Sequence, residues 1–178
     1  MALLSLTEIY SGRIIKLNLE RVRLPNGNVA ELEMIHHPGG AAVVAIDSDD
    51  RVCLLRQFRH AAGGYIWELP AGKIDHGEPP FQTVQRELQE EAGRKAAVWR
   101  ELGKYLSSPG IFTEVIHLFM AQELTAVDLS LEAHEVIEVH WKPFDEALAM
   151  AHSGEIADGK TLVGLYRAAE VRKQARSA

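Results

Sequence analysis

The sequence predicts a mixed α/β domain in which a layered sheet packs against helices. Segments of strand length recur on both sides of a central amphipathic segment, and two further helical segments end the chain. At 178 residues, with 47% hydrophobic and 25% charged residues, the chain suits one sizeable core and has the composition of a soluble globular protein. We therefore expect a single domain over residues 1–178.

The N-terminal part, residues 1–38, is predicted to contribute a pair of strands. Residues 14–24 and 29–36 flank the turn sequence Pro-Asn-Gly-Asn at 25–28. The start MALLSLTE lacks the basic region of a signal peptide, and Cys53 is the sole cysteine, so an internal disulfide cannot form. These features favour a cytoplasmic location.

Three strands are predicted between the N-terminal pair and the central helix. Residues 41–46 form a continuous apolar run, which is typical of a strand buried on both faces. Residues 52–58 form a second apolar strand, and residues 65–69 form a third. These strands are expected to supply the middle of the core.

The central helix is predicted to begin at Pro79 and Pro80, because proline is well suited to a first helical turn. Gly93 supplies the expected end of the helix. Apolar residues recur every three to four positions between these limits and predict one buried stripe, formed by Phe81, Val84, Leu88 and Ala92.

The second half of the chain is predicted to alternate strands and helices. An acidic, irregular stretch is expected to be a loop at residues 123–135. Strands are expected at residues 96–106, 115–121 and 136–142. Asp145 is expected to cap a helix that ends at Gly154. A last helix, over about residues 160–176, is expected to bury Leu162, Leu165, Tyr166 and Ala169.

Three carboxylates share one side of the central helix. Glu87, Glu90 and Glu91 are separated so that all three project into one region of space. Like charges at this spacing destabilise a helix by roughly 0.2–0.5 kcal/mol per pair. A divalent cation bound by the carboxylate oxygens would remove the repulsion. The alternative is an ordinary acidic surface with Arg86 as a local ion-pair partner.

The loop before the helix decides between these alternatives. Gly72 is followed after five residues by Glu78, and Glu78 after seven residues by the sequence RELQEEAG, residues 86–93. This spacing resembles the Nudix box of the Nudix hydrolases at every fixed position but the last, where Arg94 stands in place of an apolar residue. The resemblance implies an α/β/α sandwich with a mixed sheet, a catalytic core over residues 39–178 and an N-terminal β-hairpin extension.

Segments outside the box resemble the ADP-ribose pyrophosphatase branch of the family. They lie at residues 10–14, 56–59, 68–75 and 108–114. The resemblance implies hydrolysis of ADP-ribose, a nucleoside diphosphate sugar, to AMP and ribose 5-phosphate, with Mg²⁺ or Mn²⁺ as the cofactor. It also implies a homodimer formed through the strands of residues 1–38.

The same resemblance implies a set of metal ligands. Glu87 and Glu91 would bind the metal directly, together with the backbone carbonyl of Ala71. Glu90 would be a further ligand or an outer partner of the ligands. Arg86 would orient the carboxylates.

Substrate contacts and the general base are implied less directly. Arg59 is the first candidate for the diphosphate, since a guanidinium offers paired donors to phosphate oxygens. Arg56 and Glu114 are further candidates for substrate contact. In this branch the general base comes from a late loop, and the choice between Glu132 and Glu135 stays open, because Glu135 could instead bind metal.

The charge balance excludes some functions. With 19 Lys and Arg against 25 Asp and Glu, the net charge of −6 argues against binding to a nucleic acid backbone. No apolar run approaches the roughly 20 residues that a membrane span requires. Two alternative functions stay open: hydrolysis of GDP-mannose or another nucleoside diphosphate sugar, and non-catalytic sensing of ADP-ribose.

Overall fold

The computed structural model describes residues 2–131 and 135–176 of the chain. Within these residues it contains ten β-strands and three α-helices. In chain order they are β1 Ala2–Ser11, β2 Lys16–Arg23, β3 Val29–His36, β4 Gly40–Ala45, β5 Arg51–Arg59, β6 Gly64–Glu68, β7 Ala71–Lys73, α1 Pro80–Ala92, β8 Arg94–Leu106, β9 Val115–Ala126, β10 Ile137–Pro143, α2 Phe144–Ser153 and α3 Gly159–Arg176.

The strands form three sheets. The first is an antiparallel N-terminal sheet in the order β1-β2-β3. The second has the order β10-β5-β6, and the third has the order β7-β4-β9-β8. Strands β4 and β9 run parallel while the neighbours of each are antiparallel, so the third sheet is mixed, as predicted.

Helices cover both faces of the central strands. Ala41 and Val43 of β4 pack in one cluster with Val84 and Leu88 of α1. The intervening residues of β4 pack on the opposite side, in a cluster that contains Leu165 of α3 and residues of α2. Every residue of β4 is buried, which confirms the doubly buried strand and the α/β/α arrangement.

Helix α1 has the ends that its sequence predicts. Pro79 precedes the first turn and Pro80 lies in it. Gly93 ends the helix in the left-handed region (φ 59°), where a residue without a Cβ is favoured, and its N–H donates to the Gln89 carbonyl at 3.0 Å. The predicted stripe is buried from Val84 onward, whereas Phe81 remains partly exposed.

Strand β1 was not predicted from the sequence. It pairs with β2 from Ala2 to Ser11, with two irregularities in register. Every residue of β1 is exposed, so no alternation of buried and exposed side chains marks it as a strand. The N-terminal part therefore forms a three-stranded sheet rather than a simple pair of strands.

The structure differs from the sequence expectations at three other elements. β9 continues to Ala126, into the stretch expected to be a loop, because β8 pairs with it as far as Arg94. The expectation that Asp145 caps α2 is wrong, since the helix begins at Phe144 and Asp145 lies within its first turn. In α3, Tyr166 is exposed rather than buried, while Leu165 and Ala168 are buried.

Backbone hydrogen bonds join the N-terminal sheet to the core. The N–H of Ile35 donates to the carbonyl of Ile111 at 2.8 Å, and the N–H of Thr113 donates to the carbonyl of Ile35 at 2.9 Å. These bonds bring the end of β3 and His37 to the rim of the central cleft. None of the described helices is both long and apolar enough to cross a membrane.

Candidate active site

A single cleft of about 620 Å³ gathers most of the residues that the sequence marks as functional. It lies where α1, the start of α3 and the ends of several strands meet, beside Glu135, which precedes β10. Its lining includes Arg59, Ala71, Arg86, Glu87, Glu90, Glu91, Glu114 and Glu135. These residues span almost eighty positions of sequence, so only the tertiary fold brings them together.

The loop before α1 fits tightly against the first carboxylate. A Cβ placed on Gly72 would lie 1.8 Å from Oε1 of Glu87 and 2.1 Å from its Cδ. Real Cβ atoms essentially never approach other atoms so closely. Glycine is therefore required at this position for Glu87 to lie against the loop backbone.

Arg86 makes hydrogen bonds to three carboxylates in and near the cleft. Its Nη1 donates to Oε1 of Glu87 at 2.7 Å and to Oε2 of Glu90 at 2.9 Å. Its Nε and Nη2 each donate to Glu78, at 3.2 Å. Thr83 donates a further hydrogen bond to Glu78 at 2.8 Å. Arg86 thus orients three carboxylates, and Glu78 links the loop to the helix.

Glu91 is the most deeply buried acid of the cleft, with 2% of its surface exposed. Its Oε2 accepts a hydrogen bond from the backbone N–H of Ala71 at 2.7 Å. Ala71 and Gly72 therefore bring one short stretch of backbone against two carboxylates, those of Glu91 and Glu87.

The environment of these acids opposes their ionisation. Burial raises the pKa of Glu91 to about 8, and the negative charges of Glu87 and Glu135 act in the same direction. Burial also raises the pKa of Glu87 to about 7, although the charge and hydrogen bond of Arg86 oppose the increase. A cation placed among these carboxylates would favour their charged forms.

Arg59 lies in the cleft and is held by a buried acid. Its Nε and Nη2 donate to the two oxygens of Glu68, at 3.0 and 2.7 Å. Lys160 of α3 approaches the same carboxylate at 3.0 Å and Asp158 at 3.1 Å. Burial alone would raise the pKa of Glu68, but the hydrogen bond from Arg59 and the charge of Lys160 outweigh it and lower the pKa.

Glu114 lines the cleft beside His37. The Oε1 of Glu114 is 3.4 Å from Nδ1 of His37. That nitrogen also accepts a hydrogen bond from the N–H of Gly39 at 3.0 Å, and the N–H of His37 donates to Oγ1 of Thr113 at 3.0 Å. Burial lowers the pKa of His37, which favours its neutral form.

Two predicted site residues stand apart from this set. Arg56 lies outside the cleft: its Nη1 is 3.4 Å from Oε2 of Glu138, and its guanidinium lies 5.0 Å from the ring centre of Tyr65. The reason is the pleat of β5, which places Arg56 on an exposed position between buried neighbours. Glu132 lies outside the described residues, whereas Glu135 lines the cleft.

The oxygen ligands of the cleft are of the kind that suits a divalent cation, although their side chains do not point to one common position. Carboxylate oxygens and a backbone carbonyl are the ligands that Mg²⁺ prefers, and Glu87 and Glu91 both meet the loop at Ala71 and Gly72. Across residues 2–131 and 135–176, no three His, Cys, Asp or Glu side chains are arranged to hold one ion. Glu87 and Glu90 are turned to Arg86 instead.

Sequence reasoning missed several residues of the cleft, and also Glu68, which lies behind it and holds Arg59. Gln57 and Glu68 lie within motifs that were recognised, but they were given no role of their own. Lys160 and His37 belong to no motif that was recognised. The only local signal for Glu68 is a charged residue within an otherwise apolar strand; its partners Arg59 and Lys160 are distant in sequence, and only the fold joins them.

Comparisons with known proteins agree with this geometry. A family model described as the NUDIX domain matches residues 36–162. An ADP-ribose pyrophosphatase of Bacillus subtilis is 37% identical over 156 residues, which cover 86% of this chain and 84% of the relative. A GDP-mannose pyrophosphatase of Salmonella typhimurium is 36% identical over 151 residues, covering 78% of each chain.

A solved structure shares the whole fold. It is described as an ADP compounds hydrolase, superposes with a TM-score of 0.84 and covers 98% of this chain and 95% of its own. Its sequence identity is 21%, so the similarity demonstrates the fold alone. The match of the family model over most of the chain, the relative at 37% identity and the box at residues 72–93 lead to one conclusion: the chain belongs to the Nudix family.

Proposed function

We propose that this protein hydrolyses the diphosphate of ADP-ribose to AMP and ribose 5-phosphate. The observation that carries the proposal is one cleft whose lining combines several acids with a fixed arginine. Glu87, Glu91 and Arg59 all line this cleft, and the charge of Arg59 opposes the increase that burial causes in the pKa of Glu91. A diphosphate needs both: cations to neutralise its oxygens and a guanidinium to hold it. The relative from Bacillus subtilis supports ADP-ribose as the substrate.

The cofactor of the proposed reaction is Mg²⁺, with Mn²⁺ as an alternative. Glu87, Glu91 and the carbonyl of Ala71 would hold it, and Glu90 would be a further ligand. When bound, the metal would neutralise phosphate oxygens and acidify a water molecule. Arg86 would hold Glu87 and Glu90 in place through the hydrogen bonds that it makes to both.

The remaining side chains would position the substrate and accept a proton. Arg59, clamped on both oxygens of Glu68, retains Nη1 donors for a phosphate oxygen. Water attacks one phosphorus, its oxygen forms the new P–O bond, and the bond to the bridging oxygen breaks. A glutamate takes the proton of the water. Glu135, which lines the cleft, and Glu132 are the two candidates. Glu114, which also lines the cleft, is a candidate for substrate contact.

A substrate panel tests the proposal. ADP-ribose, GDP-mannose, NADH, diadenosine polyphosphates and dGTP are each incubated with Mg²⁺ or with EDTA, and phosphate-containing products are measured. We expect metal-dependent turnover with the highest kcat/KM for ADP-ribose. Preference for another substrate would contradict the assignment of ADP-ribose.

Two alternatives are separated by the same experiment. The Salmonella relative favours GDP-mannose as the second candidate substrate, and a higher kcat/KM on that compound would establish it. A non-catalytic ADP-ribose sensor would bind ADP-ribose and turn over none of the panel. The complete set of box carboxylates favours an enzyme, because a sensor has no need of them.

We also propose that the protein is a homodimer formed through the N-terminal sheet. All ten residues of β1 are exposed, including Leu3, Leu6 and Ile9. Exposed apolar side chains that recur along one strand suit an interaction site, and a β1 edge offers unpaired backbone groups as well. A cytoplasmic location is part of the proposal: the sole cysteine, Cys53, is buried and unpaired, which suits a reducing compartment.

A further inference from the structure

A buried amide in the wall of the cleft has an oxygen without a partner. Gln57 lies in β5 and is only 5% exposed. Its Oε1 accepts no hydrogen bond from any of the described residues. The same side chain lines the cleft that holds Arg59, Glu87 and Glu91. Buried polar atoms are nearly always hydrogen-bonded, so this atom requires an explanation.

Gln57 occupies a position of β5 at which an apolar residue would be expected if its role were only structural. Cys53 and Leu55 precede it at two-residue spacing and pack in the core against α1. Gln57 continues that face of β5, where it pairs with Ile137 of β10 and Ile66 of β6. An apolar side chain would satisfy the packing there without leaving a polar atom unpaired.

The chemistry of the cleft restricts what could pair with this oxygen. An amide oxygen only accepts, so its partner must bring a donor. Arg59 makes no hydrogen bond to this oxygen: its Nε and Nη2 donate to Glu68, and its Nη1 is left for a phosphate oxygen. An ionised phosphate oxygen has no proton to donate. Gln57 shares the cleft with the acids and the arginine that would hold the cation and the diphosphate. The donors nearest a diphosphate are O–H groups, either a ribose hydroxyl or a water held by the cation, whereas the amino group of the base is separated from the diphosphate by a ribose.

We propose that Gln57 is a ligand-binding residue whose amide oxygen accepts a hydrogen bond from an O–H group of the bound substrate–cation complex. This inference rests on the proposed function. It adds a polar contact that no box residue supplies, and it explains why an amide occupies a buried core position. The cost of the unpaired oxygen in the free protein is recovered when the cleft is filled.

The test replaces Gln57 by methionine, which keeps an unbranched side chain of similar length and removes the amide. Three quantities are measured: the melting temperature of the ligand-free protein, the affinity for Mn²⁺ by electron paramagnetic resonance, and the affinity for α,β-methylene ADP-ribose in EDTA. Asn18→Leu is the matched control, because Oδ1 of Asn18 is also buried and unpaired among the described residues but lies in β2, outside the cleft.

We expect Gln57→Met to melt at or above the wild-type temperature and to bind one of the two probes about tenfold more weakly, as expected for a lost hydrogen bond. Weaker binding of the methylene analogue in EDTA identifies a substrate hydroxyl as the donor. Weaker binding of Mn²⁺ with an unchanged analogue affinity identifies water held by the cation. The control variant should keep wild-type affinity for both probes.

Any other combination overturns the inference. A lower melting temperature would make Gln57 a structural residue, and affinities within twofold of wild type for both probes would leave it without a ligand. A wild-type protein that binds neither probe would refute the proposed function first. If the wild-type protein binds both probes and hydrolyses ADP-ribose, and Gln57→Met has the same affinities as the wild type, only the role of Gln57 is refuted.

Discussion

Replacement of Gly72 by alanine tests the close fit of loop and helix more sharply than replacement of a carboxylate. The added Cβ would lie 1.8 Å from Oε1 of Glu87, far inside the 3.4–4 Å of ordinary contact. Glu87 is a side chain and can rotate away, but it would then leave its 2.7 Å hydrogen bond with Arg86. The substitution therefore displaces one carboxylate while the residues that line the core stay unchanged.

The expected magnitudes differ for stability and for activity. Because the clash is with the end of a flexible side chain, we expect the free energy of unfolding to fall by only about 1 kcal/mol, at the lower end for overpacking. A displacement of about 1 Å at a catalytic group can cost about 10²-fold in rate, or about 2.7 kcal/mol of transition-state stabilisation. We therefore expect kcat/KM for ADP-ribose to fall at least 10²-fold.

The assay compares Gly72→Ala with Gly110→Ala at several Mg²⁺ concentrations, alongside thermal melting. Gly110 is the matched control, since a Cβ there meets nothing within 4 Å and its φ is not in the left-handed region. Activity of Gly72→Ala within threefold of the control would refute the reasoning. A large decrease in the melting temperature of Gly72→Ala would show instead that the contact of Glu87 with the loop stabilises the fold.

Three further predictions concern the acids and the N-terminal sheet. Glu91→Gln keeps the shape of the side chain and removes its charge, so we expect it to abolish turnover while the circular dichroism spectrum stays native; near wild-type activity would contradict the metal assignment. In EDTA, the pKa values of Glu91 and Glu87 in the folded protein are raised to about 8 and about 7. In the unfolded chain both glutamates titrate near the ordinary value of about 4.3, so between these values the folded protein holds protons that the unfolded chain has released. The free energy of unfolding, from urea titrations, should therefore decrease as pH rises from about 5 to 8, and it should decrease less for Glu91→Gln; equal slopes would exclude Glu91 as the source. Leu6→Asp in β1 should give a monomer by light scattering, whereas Val98→Asp, at an equally exposed apolar position of β8, should leave the wild-type mass unchanged; a wild-type protein that is already monomeric would refute the proposed dimer.

Local patterns account for the parts of the fold that were predicted well. Pro80 and Gly93 act on the backbone within one helical turn, so the limits of α1 can be derived without knowledge of any neighbour. The doubly buried strand at residues 41–46 was recognisable because both of its faces are apolar. Strand β1 lacked any such signal, since all of its side chains are exposed and, among the described residues, it pairs with β2 alone.

Side-chain directions explain the outcome at the two arginines of β5. Both belong to one short motif, and nothing in the motif distinguishes their roles. The pleat turns Arg56 to the surface, beside Glu138 and Tyr65. Arg59 stands at the end of the strand, where Glu68 draws it into the cleft. A contact between residues nine positions apart, on paired strands, is a property of the fold.

The family can be assigned from the sequence alone, through the spacing of the box at residues 72–93. The side that Glu87, Glu90 and Glu91 share also follows from the sequence, because a helix converts separation along the chain directly into direction. Which groups contact that side of the helix depends on the rest of the fold. The N–H of Ala71 bonds to Glu91, and Gly72 lies against Glu87, because the pairing of β7 with β4 positions the loop. Lys160 reaches Glu68 across ninety-two positions for the same reason: strand pairing and core packing, not local sequence, set the distances between remote residues.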